Sequence, residues 1–367
     1  MINIKEKKVE LIELFYDLIY VYAISRLSLL IEGDEKGAFI PSFIVYVIYC
    51  LVILQSWLYL TNYVNRYGKW RWYEIVLTSI NMIAALYMSN TIGNNTVSPA
   101  AFNLSMLVML LCVLLMYVIE YLKKEEDLGA AKNSIVILIV INILYFLAYV
   151  LSHYQIGPIP LYVDFTAVLM GAFLPFFLRG NFDPKIVSFP HLVERFELLT
   201  IVTFGDSIVA ISQFFDVKTF TLLPSALFII ILLMFTCYVI QIHYLVEHRR
   251  VDRGLRMMFS HYFVVIAINM LTISIKFLII NNADHVFIAL HSAFAIAMFF
   301  IAIYVNSVYY KKEYTFTKLN WAVFAVSSVL GVIVLMVFIK PIWGLVAGCL
   351  VMIVPNMVML IRIESKK

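Results

Sequence analysis

Three acids near the start of the chain, Glu10, Glu13 and Asp17, sit at i, i+3 and i+7 inside an otherwise apolar run. On a helix those spacings return to one face and climb about 10 Å along the axis. A second polar series opens a later apolar run: His191, Glu194, Arg195 and Glu197, followed by Asp206. The helical wheel groups His191, Glu194 and Arg195 there and turns Glu197 to the other side. Asp206, beside a Gly205 expected to loosen the helix, is the deepest acid of that run. Carboxylates mixed with an imidazole and a guanidinium in an apolar setting hold and pass protons or cations. Bond-making chemistry asks for other patterns. The chain has no nucleophile elbow, no H-E-x-x-H metal pair and no G-x-x-x-x-G-K phosphate loop. No metal and no cofactor is expected, and an enzyme is the less favoured class.

The elements that position these groups follow from composition. Of 367 residues, 63% are apolar and 14% charged, against roughly 45–50% and 25% in soluble domains. Too few charges remain to cover a soluble globule. This excludes a water-soluble enzyme, a disordered chain and a free nucleic-acid binder. Apolar stretches long enough to cross a ~30 Å hydrocarbon core fall near 9–31, 41–62, 73–90, 100–122, 133–151, 159–178, 193–215, 220–245, 258–281, 286–310, 317–338 and 342–361. They are helices, because backbone in lipid must satisfy its own hydrogen bonds. No alternating pattern suggests a barrel. The expected fold is all-α, a polytopic membrane protein of about twelve transmembrane helices. The acids of the first run argue against a cleaved leader there. The four cysteines lie in apolar runs as packing residues.

Basic residues set the orientation. With the N-terminus inside, twenty-one Lys and Arg fall in inside segments, and three, Lys36, Lys218 and Lys340, in outside loops. Arg26, Arg195 and Lys276 stay within spans. The alternation holds across all twelve spans, so both termini are expected in the cytoplasm and the chain in the cytoplasmic (plasma) membrane. The loops are too short for a nucleotide-binding domain, which removes ATP-driven pumping.

The chain also reads as duplicated. E-L-I-E-L at 10–14 and E-R-F-E-L at 194–198 enter their spans from the same side. Six spans per half keep both halves in one orientation, so residues 1–185 and 186–367 are expected as parallel six-helix pseudo-repeats. F-Y-D at 15–17 against F-G-D at 204–206 implies a slightly different register, which stays open.

Other polar residues are weaker signals. Arg26 and Lys276 are expected to snorkel, and His261 and His291 to pack. Gln55, Asn81, Asn142, Gln241, His243 and Asn269 are expected to hydrogen-bond between helices. Arg66, Arg71, Arg249 and Arg250, clustered with interfacial aromatics, read as topology anchors or a phospholipid-headgroup site.

Three segments carry a resemblance: V-E-L-I-E-L-F-Y-D-L-I-Y-V-Y-A-I-S (9–25), W-x5-Y-V-N-R (57–66) and H-L-V-E-R-F-E-L-L-T-I-V-T-F-G-D-S-I-V-A-I (191–211). With them the chain resembles the bacterial low temperature requirement A family over essentially its whole length. Members commonly carry G-E where this chain has Gly205-Asp206. The resemblance implies a polytopic cytoplasmic-membrane protein tied to growth in the cold, without a settled substrate. A looser similarity links the two F-x-D segments to a potassium-channel family of six-helix repeats with an F-S-D motif. It implies that Phe15, Asp17, Phe204 and Asp206 line a pore, with Tyr16 and Gly205 in place of the serine.

The first functional expectation is a carrier that moves an ion or small solute through a polar site of Glu10, Glu13, Asp17, His191, Glu194, Arg195, Glu197 and Asp206. The alternatives are a cation channel, a lipid-modifying membrane enzyme and a non-transport protein for growth in the cold. Expected partners are the lipid bilayer and the transported species. Nucleic acid is not one, and a homodimer is the assembly considered.

Overall fold

A computed structural model describes residues 7–32, 39–93, 96–124, 128–177, 186–215, 221–278, 284–339 and 342–365. Lys5, Lys36, Arg179, Lys185, Lys218, Lys340, Lys366 and Lys367 of the orientation count lie outside these residues.

Each expected span has a helix at its place. In chain order they are α1 (Leu11–Arg26) with the single turn α2 (Leu29–Glu32), α3 (Phe39–Tyr67), α4 (Trp72–Asn90), α5 (Pro99–Lys123), α6 (Leu128–His153), α7 (Ile159–Phe177), α8 (Phe189–Ser212), α9 (Leu223–Val239), α10 (Leu255–Phe277), α11 (His285–Val305), α12 (Lys318–Val337) and α13 (Ile342–Glu364). Among the described residues, nine helical segments are long and apolar enough to cross a membrane. The chain is a multi-pass helical membrane protein. The apolar part of α7 is shorter. Polar residues weigh against α4 and α8: Glu74, Thr78 and Asn81 in one, the His191–Asp206 series in the other. Within the expected loop 89–99, two short strands pair antiparallel, Ile92 opposite Val97 and Gly93 opposite Thr96. The loosening expected at Gly205 does not occur, since α8 runs unbroken from Phe189 to Ser212. It is α9 that departs from regularity, ending in a π-helical turn over Ile240–Leu245.

The chain divides into two compact units. Unit 1 is Met1–Arg195 with Arg249–Gly254, and unit 2 is Phe196–His248 with Leu255–Lys367. In unit 1, α3 packs on α1, α5 and α7, and an arc runs around it through α1–α4, α4–α5, α5–α6 and α6–α7. Leu11, Phe15, Ile83, Tyr87 and Phe173 point outward, as the lipid-facing side of such an arc requires. Polar residues knit its inside. Gln55 donates to the Ala167 carbonyl (3.0 Å) and accepts from Tyr145 (2.9 Å). Asn81 donates to the Met109 carbonyl (2.9 Å) and accepts from Tyr20 (3.1 Å). Asn142 departs from expectation by bonding back to Leu138 on its own helix. Arg26 donates to the Ile92 carbonyl at 3.0 Å, which ties the end of α1 to the strand pair.

In unit 2, α10 is buried along almost its whole length and packs on α11. From there α11 meets α12 and α13, α12 meets α13, and α13 meets α9. α12 and α13 approach closely at Gly331 and Gly348. A Cβ on Gly348 would stand 2.4 Å from Leu335 Cγ, and one on Gly331 2.1 Å from Met352 Cγ. Small residues allow this approach between helices that lack a hydrophobic drive in lipid. His261 packs as expected: its Nδ1 donates to the Met257 carbonyl, and its Nε2 accepts from Tyr238. The four cysteines are buried and free.

Candidate functional site

Three four-residue spacings converge inside unit 1. Glu13 and Asp17 stand one turn apart on α1, His191 and Arg195 one turn apart at the start of α8, and Trp57, Thr61 and Asn65 along α3. Positions i and i+4 share a helix face, so each helix presents a stripe. His191 Nε2 lies 3.2 Å from Glu13 Oε2. Arg195 Nη2 donates to Asp17 Oδ1 at 2.7 Å. Both rungs span 178 residues, so α1 and α8 run in the same direction where they meet. A diagonal joins them, Arg195 Nε to Glu13 Oε2 at 3.4 Å. The α3 stripe covers the third side. Trp57 Nε1 donates to Asp17 Oδ1 at 2.7 Å, Thr61 Oγ1 accepts from Arg195 at 3.5 Å, and Asn65 meets His191 at 3.0 Å. The Arg195 guanidinium also lies 5.6 Å from the centre of the Trp57 ring, within cation–π reach. Every one of these side chains is buried, Asp17 and His191 at 0% exposure and Glu13 and Arg195 at 2% and 1%.

Local structure explains the placement. Glu10 is the N-cap of α1, and its N–H donates to Glu13 Oε1 at 3.2 Å, a capping-box contact. The positive end of the helix dipole favours a carboxylate there.

The proton on His191 is fixed by its neighbour. Asn65 Oδ1 accepts from the Ser188 N–H (3.1 Å), and Asn65 Nδ2 donates to the Ser188 carbonyl (2.8 Å). That sets the amide and leaves one Nδ2 hydrogen for His191 Nδ1. Nδ1 must accept, so the ring carries its proton on Nε2, facing Glu13, and is neutral. The ladder then holds two carboxylates against one guanidinium. Its excess of one negative charge is matched by one proton or one monovalent cation. Glu13 Oε2 and Arg195 Nε answer each other as an ion pair, whereas Asp17 Oδ2 and Arg195 Nη1 lack hydrogen-bond partners among the described residues. Buried polar atoms are ordinarily paired, which makes Asp17 Oδ2 the open acceptor of the ladder.

The whole ladder lies within the span over which the chain matches the family described as bacterial low temperature requirement A protein (LtrA), residues 8–361. The chain belongs to that family. No individual curated protein matches it.

Other sequence-predicted residues of this LtrA family member fall elsewhere. Glu10 is exposed at the helix start. Glu194 is exposed too: it points about 100° from Arg195, and the buried face follows Arg195. Glu197 and Asp206 are half-buried residues of unit 2. Phe15 is 59% exposed and Phe204 3%, so the two F-x-D phenylalanines occupy unlike surroundings. Of the headgroup candidates, Arg71 pairs with Glu120 at 3.5 Å and Arg250 with Asp252 at 3.1 Å, while Arg250 also lies over Phe189. Arg249 is exposed. Arg66 is nearly buried. Burial and the Arg66 charge both pull Arg253 below its ordinary value, with Asp252 opposing.

The site residues missed from sequence are Trp57, Thr61 and Asn65, with the Ser188 backbone behind Asn65. Their signal was W-x3-T-x3-N, a repeat of four on an apolar helix.

Proposed function

We propose that this LtrA family member moves an ion or small solute across the cytoplasmic membrane and couples that movement to a proton bound at the ladder. The observation that carries this reading is the charge imbalance beside a histidine held neutral by Asn65. A net charge buried in an apolar bundle is costly. With one carboxyl protonated, Arg195 balances the other. When that proton leaves, the freed carboxylate calls for a cation in its place, and this exchange is the elementary act of a proton-coupled carrier. Trp57 and Asn65 hold the acceptors in register while the proton comes and goes. The one-sided distribution of Lys and Arg supports both termini inside. A channel built on the F-x-D segments has less support, because Phe15 faces outward while Phe204 is buried.

The test uses everted membrane vesicles with a pH-quenched dye. Addition of Na+, K+ or Li+ is expected to release quenching in wild-type vesicles, and Asp17→Asn is expected to cut the rate at least tenfold. Equal rates in wild type and a folded, inserted Asp17→Asn protein would remove the ladder from the coupling.

A further inference from the structure

We propose that Asp164, Asn103 and Ser152 form a second site in unit 1, for a monovalent cation. The site lies at the opposite end of unit 1 from the ladder. Asp164 is in the second turn of α7, Asn103 in the second turn of α5 and Ser152 in the last turn of α6. The ladder gathers where α1 starts and α3 ends, and α5 starts at the other end, beyond α4.

Asp164 is 1% exposed and Asn103 0%. Neither carboxyl oxygen of Asp164 has a partner at hydrogen-bonding geometry, and no Lys, Arg or His pairs with it among the described residues. Asn103 lies against that carboxyl. Its Nδ2 points to Ser152 Oγ at 3.4 Å, and its Oδ1 is a further buried acceptor without a partner. Ser152 donates its own proton to the Ala148 carbonyl at 2.7 Å, so toward Asn103 its oxygen acts only as an acceptor. Tyr49 stands within electrostatic reach of Asp164.

The donor set decides the ligand class. Carboxyl, amide and hydroxyl oxygens suit a hard cation, and an anion would meet the Asp164 carboxylate with no positive charge to offset it. A divalent ion is disfavoured because a single carboxylate leaves half its charge unmatched, and the described residues hold no cluster of three His, Cys, Asp or Glu. A buried carboxyl without a counter-charge takes up a proton or a cation, and a proton would leave the neighbouring acceptor oxygens unfilled. One monovalent cation neutralises it and fills the acceptor shell together. This site stands on different residues from the ladder and does not depend on it.

The experiment measures thermal unfolding of the full chain in detergent, with Na+, K+ or Li+ titrated against choline at constant ionic strength. One of the three is expected to raise the Tm saturably in the wild type. Asp164→Asn, which keeps the shape, is expected to abolish the response, and Asn103→Ala to weaken the apparent affinity roughly tenfold, the value of one lost ligand interaction. Asp17→Asn is expected to retain the response, which separates this site from the ladder. A wild-type Tm indifferent to all three cations, or an Asp164→Asn protein that responds like the wild type, overturns the proposal. Should Asp164→Asn not fold, saturable uptake of one 22Na+, 86Rb+ or 6Li+ per wild-type chain in equilibrium dialysis, weakened in Asn103→Ala, supports it. Absence of uptake overturns it.

Discussion

Arg195 is the most exposed to loss among the buried side chains of the ladder, because its charge answers both Glu13 and Asp17. Removing one partner of a buried pair leaves the other charged and dry, at a cost of about 3–5 kcal/mol. Arg195→Met is therefore expected to lower stability by that amount in thermal or denaturant unfolding. Adding Asp17→Asn to it is expected to recover part of the loss, so the double-mutant cycle shows coupling rather than additivity. Asn65 has a different role. Asn65→Ala strips partners from the Ser188 backbone and from His191, with an expected cost of about 1–3 kcal/mol. Nitrogen NMR of the histidines is expected to show His191 losing its Nε2-protonated preference. An unchanged tautomer would show that Asn65 does not set it.

Among the helices, glycine separates close contact from free surface. At Gly348 a methyl group meets Leu335 and the Gly331 carbonyl, whereas at Gly205 it meets nothing within 4 Å. Gly348→Ala is expected to push α13 from α12 and cost about 1–3 kcal/mol. Gly205→Ala is expected to stabilise α8 by up to about 1 kcal/mol through helix propensity. Thermal unfolding of the two variants side by side gives the comparison. The same two glycines show what a sequence can and cannot disclose. Gly205 next to an acid looked like a weak point in a helix, and no tertiary neighbour makes it one. Helix positions were legible because lipid demands long apolar runs. Four members of the ladder were legible by type, as charges that lipid would not accept. Glu10 and Glu194 looked like members on the same grounds. They stand outside because α1 begins one residue after Glu10, and because α8 turns Arg195 rather than Glu194 inward. Trp57, Thr61 and Asn65 stayed hidden, since a tryptophan, a threonine and an asparagine are ordinary in a membrane helix until a partner is known. Asp164, a single acid near a helix end, carries no such signal in the sequence, because its buried neighbours come from α5 and α6.

For the molecule as a whole, the distribution of basic residues predicts the address of the chain ends. A fluorescent protein fused after Lys367 is expected to glow and alkaline phosphatase at the same place to stay inactive; the reverse pattern would invert the topology. The ladder has a further consequence for how the molecule is made. Its two acids leave the ribosome 178 residues ahead of the groups that meet them. Asp17, well inside α1, opposes entry into the bilayer by roughly 2.5–3.5 kcal/mol, and Glu13 in the first turn adds a smaller cost. The first helix to be synthesised is thus poorly fitted to cross on its own, and it is expected to settle once α8 emerges to receive it. Nascent chains arrested shortly before His191 are expected to leave α1 open to aqueous cysteine reagents at an introduced position, and chains released beyond Arg195 to shield it. On that expectation the earliest segment to be made would be among the last to be secured, and it would need shelter while about half the polypeptide is still to come.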